Sequence, residues 1–79
     1  MNAQHESLFE ALRQAVPDRE HHQCGLLAAC EAIAKYHGVF VVSKQLRALV
    51  QALWTQGIIS GSESNRLESM VVSAAMLEV

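Results

Sequence analysis

Charge is what this chain has least of. Only 18% of its residues are charged, six basic against eight acidic, for a formal net charge of −2. A polybasic nucleic-acid binder and an acidic mimic of DNA both need a strong field of one sign, so both are excluded. Cysteine is scarce as well. Cys24 and Cys30 lie six apart, and no CxxC or HxxxH spacing supports a zinc site. No apolar stretch approaches the roughly 18 residues of a membrane span. The opening residues, MNAQHESLFEALRQ, have neither the basic start nor the apolar run of a secretion signal. The expectation is a cytoplasmic protein with both thiols reduced and no membrane contact.

Apolar residues are abundant instead. They make up 51% of the 79 residues. A single domain of this size buries only about 60–65% of its unfolded surface. Part of the apolar surplus must stay outside, and such patches mark interaction sites. A homodimer, or a complex with another protein, is therefore expected.

Punctuation and periodicity predict an all-α, four-helix domain over residues 1–79, with helices at about 3–16, 19–37, 43–56 and 61–77. In the first helix Leu8, Phe9, Leu12 and Val16 form the apolar side. Asn2 caps it if it starts early; Ser7 and Glu10 form a capping box if it starts late. Pro17 ends it and Asp18 caps the second. The second helix carries a core stripe of Leu26, Cys30, Ile33 and His37, flanked by Leu27 and Ala34, and closes at Gly38. Val39 to Val42 is mostly β-branched and too short for a helix of its own, so it reads as a buried extended elbow that could pair with Ile58 and Ile59. Ser43 then caps a third helix with Leu46, Leu49, Val50 and Leu53 inside. Gly57 suits the C′ position beyond that helix. Ser60 and Glu63 form an S-x-x-E capping box for the fourth, whose core face is Leu67, Met70, Val71, Ala74 and Leu77.

Catalytic chemistry finds little support. The cluster Glu20-His21-His22-Gln23-Cys24 places His21 and Cys24 on one helix face. A structural zinc site would still need two more ligands, from His5, His37 or a second subunit. A polar first turn with a half-buried thiol explains the cluster without metal. Cys24 lacks the third group that a cysteine nucleophile's base requires. Cys30, on the core stripe, is a small apolar filler. Glu63 is explained by capping, and Glu6, Glu10, Glu31 and Glu68 read as solvated helix faces. There is no phosphate-binding glycine loop. No enzyme activity, cofactor or metal is expected.

Binding is better supported. Gly25, Ala29 and Ala32, followed by Tyr36, make a small-residue face that lets a second helix approach closely. Phe40 and Trp54 are candidate anchors, although aromatics in so small a domain also serve as core. Val72 and Met76 lie off the core stripe of the last helix. These eight residues are the candidate partner-binding set, for a second copy and for another protein.

Two resemblances add to this. Ala32 to Val39, then Val42 to Leu46, then Leu49, Leu53 and Gly57-Ile58-Ile59 resemble the centre of a winged helix-turn-helix. That resemblance implies DNA reading by Ser43, Lys44, Gln45 and Arg47, with Gln51 further along. The chain departs from the family where a helix cap and helical stripe follow Ile59 in place of a β-wing. From Leu27 to about Leu53 the chain also resembles small bacterial connector proteins of two-component and biofilm regulation: a helix closing at Gly38, an extended Val41, then Ser43-Lys44 opening a helix at Leu46. This second resemblance implies a short, non-catalytic, all-helical dimer. The reading that follows is a small regulatory protein of connector, anti-activator or inhibitor type, with DNA-binding regulation as the alternative.

Overall fold

The computed structural model describes residues 3–16 and 22–77. Four helices form: α1 Ala3–Ala15, α2 His22–His37, α3 Val39–Thr55 and α4 Gly61–Met76. No strand occurs among the described residues, so the chain is an all-α four-helix domain. α3 packs against both α2 and α4, and α1 closes the bundle mainly against α4. One contiguous core joins Leu8, Phe9 and Leu12 of α1 to Leu27 and Ala34 of α2, the inner face of α3, and Leu67, Val71 and Ala74 of α4.

α3 is the hub, and it begins four residues earlier than expected. Val39 to Val42 is helical, not an extended elbow, and there is no pairing with Ile58 and Ile59. Val39 and Val42 are buried with Leu46, Leu49, Val50 and Leu53 on one helical face. Burying such side chains is worth roughly 1.5–3 kcal/mol each. That outweighs the roughly 0.7 kcal/mol or less that a β-branched residue costs inside a helix. Ser43 therefore lies in the helix interior. Its hydroxyl donates to the Phe40 carbonyl at 2.9 Å and caps nothing.

The elbow is instead a single residue. Gly38 joins α2 to α3 at φ 89°, ψ 165°, a region open essentially to glycine alone. Its amide still donates to the Ala34 carbonyl at 2.9 Å, completing the last turn of α2.

The other helix ends follow local chemistry. Beyond α3, Gly57 at φ 76° donates to the Trp54 carbonyl and Ile58 to the Leu53 carbonyl, each at 2.9 Å. That is a Schellman closure, with Ile58 folded back onto the core. At α4, the Ser60 hydroxyl accepts the Glu63 amide at 3.1 Å. The Glu63 carboxylate is held by Arg66, with Nε at 3.2 Å from Oε2. α1 starts early, at Ala3, so Ser7 is interior; Asn2, Pro17 and Asp18 lie outside the described residues.

Two core stripes differ from expectation. On α2 the buried residues are Leu27, Cys30 and Ala34, while Leu26, Ile33 and His37 are exposed. On α4 Leu77 is exposed, Met70 is half-buried and Ala75 is buried instead.

Gly38→Ala should cost about 1–3 kcal/mol, because a Cβ is strained at that backbone geometry. Ser60→Ala should cost about 0.5–2 kcal/mol through the lost cap. Urea unfolding measures both; an unchanged midpoint for Gly38→Ala would show that α2 and α3 meet in another way.

Candidate interaction surface

From Cys24 to Ala34 every residue of α2 except Gly25 and Glu31 is apolar, so it cannot bury them all. Its orientation is set from the charged flank. Arg13 of α1 donates to Glu31 of α2 at 2.8 Å and to Glu10 at 3.1 Å. The pairs are solvent-exposed and worth little individually, about 0–1 kcal/mol. Together with the buried Leu27 and Ala34 they still fix which side of α2 faces inward. A cleft of about 710 Å³ between α1 and α2 is walled by Glu6, Arg13, Glu31 and Lys35, with Cys24 on its floor side. Its charges alternate in sign, and Arg13 pairs with Glu31 across it.

The opposite side of α2 is built of apolar and small residues, with the Lys35 ammonium reaching over Tyr36 at its edge. Gly25, Leu26, Ala29, Ala32, Ile33 and Tyr36 are all exposed and fall within an arc of about 120° at 100° per residue. Beside this arc an open groove of about 520 Å³ runs between α2 and α3. Leu26, Ala29 and Ile33 form one wall; Val41, Ala48 and Ala52 form the other. Cys30, Val42 and Leu49 line it from below, and Gln45 is its one polar group. Burial pushes the Cys30 thiol up, which suits an inert apolar filler and not a nucleophile.

Of the eight expected partner-binding residues, Tyr36, Phe40, Trp54, Val72 and Met76 are large and exposed, and Gly25, Ala29 and Ala32 are exposed small residues. Phe40 and Trp54 are thus not core. Trp54 lies at the opposite end of α3 from Phe40, with its Nε1 at the start of α4, 3.9 Å from where a Cβ on Gly61 would sit. Tyr36 stands under its neighbour Lys35, whose Nζ is 5.9 Å from the ring centre. Sequence reasoning missed Leu26, Ile33 and Val41, because it assigned the first two to the core and the third to a buried elbow.

The five candidate DNA contacts separate. Lys44, Arg47 and Gln51 share a shallow polar groove of about 560 Å³ with Glu68 of α4. Gln45 faces the apolar groove, and Ser43 is half-buried in its helix. All five lie well inside α3, whose first turn is Val39 to Val42. The two-helix elbow is one residue, and α4 occupies the place of a wing.

No group of three potential metal ligands comes together among the described residues. The His21-His22-Cys24 cluster cannot be placed, since His21 and the side chain of His22 lie outside them. No described helix is long and apolar enough to cross a membrane. Compared with protein-family models, curated proteins and solved structures, the chain matches none.

Two carboxylates carry a pH signature. Hydrogen bonds from Arg13 and then Gln14 hold Glu10 below the usual carboxylate range, and Arg66 does the same for Glu63. A depressed folded-state pKa stabilises the fold above the unfolded value and loses that contribution as pH falls through the folded one. Urea midpoints followed from about pH 6 down to about pH 3 should therefore fall less steeply below about pH 4.5 in the Glu10→Gln, Glu63→Gln double variant. An identical acid limb would show that these contacts do not hold in solution.

Proposed function

We propose that this chain is a small cytoplasmic regulatory protein with no catalytic chemistry of its own, which acts by binding protein surfaces. The observation that carries this reading is the uncharged groove between α2 and α3. The chain exposes 4883 Å², close to the ~4,700 Å² expected of a compact monomer of this mass. Its exposed Leu26, Ile33, Val41 and aromatic rings are therefore not a sign of loose packing. They are surplus apolar surface, and Leu26, Ile33 and Val41 gather it along one groove, which is a form a protein-binding face takes. An apolar trough bounded by two helices suits the apolar face of a third. The resemblance of residues 27–53 to bacterial connector proteins points the same way, toward a connector, anti-activator or inhibitor that covers a partner's working surface.

The DNA-binding alternative has one observation in its favour, the common polar groove of Lys44, Arg47 and Gln51. Glu68 in that groove and the overall negative charge weaken attraction to a duplex.

The two readings separate in a pull-down from the native cell with nuclease present. Ile33→Glu changes an exposed groove residue and should abolish capture of a protein partner while leaving the helical signal intact. Lys44→Ala with Arg47→Ala should leave capture unchanged. Recovery only through nucleic acid, lost in the double substitution and falling steeply with salt, would overturn the protein-binding reading.

A further inference from the structure

We draw no further inference here: the strongest candidate, the apolar groove between α2 and α3 walled by Leu26, Ala29, Ile33, Val41, Ala48 and Ala52, belongs to the surface already described, and nothing in the structure shows what covers it.

Discussion

A single glycine in a conformation closed to other residues organises this molecule. Gly38 reverses the chain between two long helices with no intervening loop. Once that reversal is made, α2 must run back beside α3, and the bundle has no freedom to insert a spacer between them. Val39 and Val42, immediately past the turn, are drawn into the core, which winds the first turn of α3. The outer residues of the two helices are then left side by side. The apolar groove is thus the geometric remainder of a tight reversal, and its walls are positioned by backbone, not by side-chain contacts of their own.

Polar interactions play a smaller part than their number suggests. Arg13 with Glu10 and Glu31, and Arg66 with Glu63, sit on the surface in solvent. Burial of Leu27 and Ala34 turns the Glu31 flank of α2 toward α1, where Arg13 meets it, and leaves the apolar flank in solvent. A small domain with a surplus of apolar residues has to choose which to leave out, and here part of the choice falls along α2 and the groove beside it, with Trp54, Val72, Met76 and Leu77 exposed elsewhere.

The parts legible in the sequence were those decided by neighbouring residues. Gly57 and Ser60 mark helix ends because a left-handed glycine and a capping hydroxyl act over three or four positions. The α1 face of Leu8, Phe9 and Leu12 was legible because only one side of that helix is apolar. Val39 to Val42 was misread as extended because local β-preference, a fraction of a kcal/mol per residue, was weighed without the burial that overrides it. On α2 the stripes through Leu26 and Ile33 and through Leu27 and Ala34 are both apolar at helical spacing. Periodicity cannot choose between them; the position of α1 does. The candidate surface followed suit. Its small residues and Tyr36 were legible, whereas Val41, Ala48 and Ala52 entered only when α3 was seen to begin at Val39.

Cys30 sits where the two long helices meet, beneath the groove and with its thiol held in the protonated form by burial. A thiol in that state reacts only when it reaches water and ionises. Because Cys30 also lines the groove from below, its modification rate follows how freely a reagent reaches the groove floor. The side chain is a built-in reporter of access to that floor, and anything lodged along the groove would slow it.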